Sequence, residues 1–200
     1  MSRRPNPRAD LLRQAVAEEA ARIMREQGVE DFLQAKRKAA DRLGVTDASI
    51  LPRNTEIEAA LVAHQRLFGA DRHEAGLADL RRSALEAMRL MADFQPRLVG
   101  PVLTGTASRH SEINLHLFTE SAEAVSIRLE ERGIPHEVVE RRLRYERDRL
   151  VTYPALRFVA GQQTVDAVVF PLDGIRQAPS SPVDGKPMRR ASAAEVQALL

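Results

Sequence analysis

No cysteine occurs in the 200 residues, which excludes disulfides, thiol nucleophiles and cysteine-ligated zinc. Tryptophan is also absent, and aromatics make up only 4% of the chain. Stacking platforms for single-stranded nucleic acid are therefore scarce. No apolar run reaches the length of a transmembrane helix. The basic start, MSRRPNPRADLL, lacks a signal-peptide core behind it, so no membrane partner and a cytoplasmic location are expected. Lysine is nearly missing: Lys36, Lys38 and Lys186 are the whole set, and arginine supplies the other positive charges. Guanidinium forks suit carboxylate and phosphate oxygens. Net charge is only +2, so the charge balance alone does not argue for a nucleic-acid partner.

What remains is ordinary for a folded domain: 44% hydrophobic and 29% charged residues. The pattern divides at Pro96. Before it, apolar residues recur at helical spacing, predicting helices over about 10–27, 30–43, 55–68 and 73–94. Gly28 and Gly44 close the first two, and Thr55 with Glu58 reads as a capping box for the third. His64 falls on an apolar stripe and reads as a hydrogen-bonded boundary histidine. Lys36, Arg37, Lys38 and Arg42 crowd the second helix, mostly as a solvated face; the sharper reading is a contact with a phosphate backbone.

After Pro96 strands dominate. The run 98–103 is continuously apolar and predicts a buried strand. A glycine turn follows, and 112–118 then alternates strictly, with Ile113, Leu115 and Leu117 on one face and Glu112, Asn114 and His116 on the other. A helix over 120–132, a strand over 136–143, a charged hairpin, and strands over 153–160 and 164–170 complete the pattern. Asp166 is a lone acid in the apolar run VDAVVF. Buried, it must be paired with an arginine or bound to metal. From 173 the chain is proline-rich and is expected to run extended over the surface, ending in a short helix capped by Ser192 and Glu195. The fold class is α+β, in three parts: a helical portion 1–95, a mixed-sheet core 96–172 and a C-terminal segment 173–200.

A strand, a glycine–hydroxyl turn, and a strand with polar groups one residue apart resemble the polymerase-beta-like nucleotidyltransferase superfamily, over roughly 98–171. In that family a Gly-Ser or Gly-Thr pair opens a short helix that holds nucleotide phosphates. Two acids on the next strand and a third on a later one bind divalent metal. Gly105-Thr106 matches the first element. Glu112 and Asn114 match the acid pair, here E-x-N, and Asp166 matches the third acid. The resemblance implies a mixed sheet with packed helices and transfer of a nucleoside monophosphate from a nucleoside triphosphate to an acceptor, such as RNA or a protein. It assigns catalysis to Glu112, Asn114 and Asp166. Mg2+ or Mn2+ would sit on Glu112 and Asp166, with phosphate or nucleotide contacts from Gly105, Thr106, Ser108, Arg109 and His116. A neutral amide is a poor ligand for a hard cation. A second reading therefore stands beside the first: the fold without catalysis, binding nucleotide, RNA or a protein. A third puts the function in the basic helix of the helical portion.

Overall fold

The computed structural model describes residues 7–68, 70–108, 110–146 and 149–200, with the side chains of 65–68 and 70–72 left outside that description. The chain is α+β: helices first, then a five-stranded mixed sheet with packed helices. It divides into two compact units, one built mainly from residues before Glu74 and one from Glu74 onward. The change of character at Pro96 marks the first strand, while the compact division falls earlier, inside a helix.

The first unit packs α1 (Pro7–Gln27), α2 (Phe32–Arg42) and α3 (Asn54–Phe68). Val16, Ala20 and Ile23 of α1 meet Ala35 and Ala39 of α2 and Ile57 and Leu61 of α3 in one buried cluster. Small alanines at i, i+4 spacing let these helices approach closely. Asp31 caps α2 by accepting from Gln34 N at 2.6 Å. The expected Thr55–Glu58 box is shifted toward the N-terminus. α3 begins at Asn54, and Glu56 reaches back to Arg53 N at 2.6 Å, so Thr55 is already helical. His64 sits at a boundary, with Arg25 Nη1 2.7 Å from its Nδ1.

The second unit contains most of α4 (Ala70–Leu90), then β1 (Arg97–Val99), α5 (Gly100–Thr104), β2 (Ile113–Phe118), α6 (Ala122–Glu131), β3 (His136–Arg144), β4 (Leu150–Ala160), β5 (Gln163–Phe170) and α7 (Ala193–Gln197). The strand order is β1-β2-β5-β4-β3, with β2 and β5 parallel and all other neighbours antiparallel. One face of the sheet carries Ile113, Leu115, Leu117, Leu156, Phe158, Val165, Ala167 and Val169. With Met88 and Met91, Val125 and Leu129, and Val196, these form the main core. Each fully buried aliphatic side chain there contributes about 1.5–3 kcal/mol.

Two sequence expectations fail here. The apolar run 98–103 is not one strand: it turns helical at Gly100, whose φ of +72° is open to glycine, and Pro101 then fits the first helical turn. The C-terminal segment is not merely laid over the surface. Ala191 exchanges backbone hydrogen bonds with Leu98 at 2.8 and 2.9 Å, and Ala191 and Val196 are buried. The capping box of Ser192 and Glu195 forms as expected at α7.

Candidate functional site

The second face of the sheet is polar at its centre. One row crosses all five strands in register: Val99, Asn114, Asp166, Arg157 and Glu137. Residues paired in this way share a face. Glu112, immediately before β2, joins the group through Arg157 Nη2, which donates to its Oε1. Asp166 is gripped by both prongs of Arg141 on β3, with Nε 3.0 Å from Oδ2 and Nη2 2.7 Å from Oδ1. Its side chain is only 8% exposed. The sequence allowed either an arginine or a metal to balance this buried acid; the arginine is there. In return, the hydrogen bonds that Arg141 donates to Asp166 hold the Arg141 pKa above its ordinary value.

The residues proposed from sequence are partly brought together. Glu112, Asn114 and Asp166 converge on the same face, Asn114 and Asp166 as direct neighbours on parallel strands. His116 follows Asn114 but is 2% exposed rather than facing solvent. Its Nδ1 accepts from Arg190 Nε at 3.0 Å. Burial first, and then the Arg190 charge, push its pKa down to about 3, so the ring is neutral. Arg190 also donates to the carbonyls of Gly174 and Ile175 at 2.8 and 3.2 Å and lies over the rings of Phe118 and Phe170. Burial lowers its own pKa. Phe118, Ala155, Val168 and Phe170 make a second apolar cluster beside the polar row, with Tyr153 and Ile175 packed against it.

The turn is arranged differently from the sequence reading. Gly105 does not open a helix; it closes α5 in the left-handed region at φ +87°. The amides of Gly105, Thr106 and Ala107 all donate to the carbonyl of Pro101, at 2.9, 3.0 and 3.2 Å. They are consumed within the chain instead of being aimed at a phosphate. Thr106 Oγ1 lies 3.1 Å from Thr104 Oγ1, and Ser108 Oγ accepts from His110 N at 3.2 Å. Ser108 belongs to the first compact unit, and Arg109 lies outside the described residues.

The glycine that faces the polar row is Gly100. A Cβ there would stand 3.1 Å from the Asn114 side-chain nitrogen. Its signal was present in the sequence as a Gly-Pro pair, a helix-opening dipeptide. Arg141, Arg157 and Arg190 were missed because their partners lie 25, 45 and 74 residues away.

For a divalent cation the donor set as arranged is a poor fit. Both carboxylates are engaged by guanidinium groups, Asn114 offers only an amide, and the His116 Nδ1 lone pair is taken by Arg190. Among the described residues no cluster of three or more acidic, histidine or cysteine side chains is placed to hold a metal. Elsewhere, Ser126 Oγ is hydrogen-bonded to His136 Nε2, whose Nδ1 lies 3.3 Å from Ile134 O. Ser126 sits within α6, whose backbone amides bond along the helix.

No family model, curated protein or solved structure matches the chain. No helix among the described residues is long and apolar enough to cross a membrane.

Proposed function

We propose that the chain is a nucleotidyltransferase-like protein whose acid positions are closed by arginines, and that it binds a nucleoside triphosphate without divalent metal and without transferring it. The observation that carries this reading is the pair of ion pairs, Arg141 on Asp166 and Arg157 on Glu112. Two guanidinium groups already balance the two carboxylates, so an incoming divalent cation would find no net negative charge to hold it. It would also have to break charge-assisted hydrogen bonds. The placement of Glu112, Asn114 and Asp166 around two adjoining parallel strands supports kinship with the family, as does a glycine, Gly100, opening the short helix after β1.

Arg157 is the entry point. Its partner Glu112 is 26% exposed, whereas Asp166 is sequestered. A triphosphate, like a carboxylate, offers anionic oxygens that a guanidinium group can bond, so it can replace Glu112 on Arg157. The Thr106 hydroxyl is the remaining candidate contact from the turn. Catalytic transfer to RNA or a protein, with Mg2+ or Mn2+ on Glu112 and Asp166, is the competing reading. Retention of both acids favours it.

Thermal-shift titration with the four nucleoside triphosphates separates the two, run with Mg2+, Mn2+ or a chelator. The proposal expects stabilisation in the chelator that is lost in Arg157→Ala. Metal-dependent stabilisation, lost in both Glu112→Ala and Asp166→Ala, would establish the catalytic reading instead. No shift with any nucleotide in folded protein would remove nucleotide from the account.

A further inference from the structure

The sheet protects one of its edges and leaves the other open. At β1 the edge is covered by Ala191, bonded to Leu98 in both directions. At the other end β3 pairs, among the described residues, with β4 alone. The direction of its free groups follows from two contacts at its end. Tyr145 N donates toward β4, to Arg149 O at 2.8 Å, whereas Arg144 O accepts from Ser180 N at 2.6 Å and so points away from β4. Backbone groups alternate along an antiparallel strand. His136, Val138, Glu140 and Arg142 therefore also turn their N–H and C=O groups outward. Pro154 agrees with this parity. It lies opposite Glu140, so its nitrogen faces β5, and the β4–β5 ladder stops at Ala155, one residue before an N–H would be needed. Beyond the covered Arg144, one side-chain contact touches these outward groups among the described residues, a long 3.3 Å bond from Arg141 Nη1 to Glu140 O.

The edge is also self-complementary. When a strand pairs with its own copy about a twofold axis, opposed residues share a face, and outward groups must meet outward groups. A register centred on Val139 meets both conditions. Val139 faces Val139 of the second copy, and Glu137 faces Arg141 of the second copy, reciprocally. Hydrogen bonding then joins Val138 to Glu140 and His136 to Arg142. Shifting the centre to Glu140 or Arg141 places like charges directly opposite, which is destabilising. Arg141 can serve both roles. Its Nε and Nη2 hold Asp166, while Nη1 is committed only to the long Glu140 contact. Val138, 61% exposed, would gain a neighbour.

We infer that β3 is a dimerisation edge: a second copy of this chain adds antiparallel to it, centred on Val139, to make one continuous sheet. This is independent of the nucleotide reading.

Sedimentation velocity over a concentration series tests it, together with hydrogen exchange at low and high concentration. The wild type should shift from monomer to dimer, with the amides of Val138, Glu140 and Arg142 gaining protection as concentration rises. Val138→Pro removes an N–H that the fold does not use and the second copy does, so it should stay monomeric with an unchanged circular dichroism spectrum. Should the proline variant fail to fold, Glu137→Lys serves in its place, since it sets lysine against Arg141 and should weaken the dimer at least tenfold. A wild type that remains monomeric throughout overturns the inference. So does a dimer that is indifferent to these substitutions and leaves those three amides unprotected.

Discussion

The two faces of the sheet bury their side chains by different physics. On the helix-covered face Ile113, Leu115, Leu117, Leu156 and Val169 meet other hydrocarbon, and any neighbour of suitable volume serves. On the opposite face Asn114, His116, Asp166 and Arg157 each need one particular partner in one orientation, and arginines from β3, β4 and the C-terminal segment supply most of them. Apolar burial is non-directional and tolerant; polar burial is directional, and losing one partner strands the other.

Substitutions should separate the two faces by size of effect. Leu117→Ala removes a fully buried side chain from the helix-covered face and should cost about 2–5 kcal/mol, measured by urea unfolding. A cost well under 1 kcal/mol would mean that this face is not the main source of stability. On the polar face, Asp166→Ala leaves the Arg141 fork without its carboxylate and should cost about 1–3 kcal/mol. The double variant Asp166→Ala/Arg141→Met should recover part of that loss. If the double variant is instead as unstable as the sum of the two single changes, the ion pair is not the relevant interaction.

The pH dependence probes the same face. His116 is neutral in the folded protein, with its pKa pushed down to about 3 from 6.5. The unfolded chain takes up a proton near pH 6.5 and the folded one does not. This contribution to stability is thus intact above pH 6.5 and is lost as the pH falls toward 3, with a slope approaching about 1.4 kcal/mol per pH unit. His116→Gln can still accept from Arg190 but does not titrate, so the difference between its unfolding curve and that of the wild type should widen on acidification. Parallel curves would show that His116 is not buried neutral. The smallest change is expected at the segment that carries Arg190. Ser192→Ala removes the α7 cap and should cost about 1 kcal/mol by the same unfolding measurement.

The same contrast explains what could be read from the sequence. Helical stripes and the alternation of Ile113, Leu115 and Leu117 report on non-directional burial, which depends on spacing alone, so the α+β class and most elements were legible. Asp166 was also legible as an acid in need of a partner, because an apolar strand makes a lone carboxylate conspicuous. The identity of that partner was not. Arg141 lies in a charged hairpin where five arginines looked interchangeable, and only the β3–β4–β5 register selects it. Gly105 was given the role of opening the short helix because it precedes a hydroxyl residue. Gly100 holds that place because a chain leaving β1 can turn at once only through a positive φ. The alternation of β2 was correct, yet His116 is buried, since the segment that covers it comes from the far end of the chain.

Guanidinium groups occupy the carboxylate oxygens that a metal would need. Binding of Mn2+, followed by electron paramagnetic resonance, tests it most directly in the wild type and in the Arg141→Ala/Arg157→Ala variant. The account predicts no specific binding to the wild type and the appearance of a site in the variant, dependent on Glu112 and Asp166. Specific binding to the wild type, abolished by Glu112→Gln or Asp166→Asn, would contradict it and show that the arginines yield to metal.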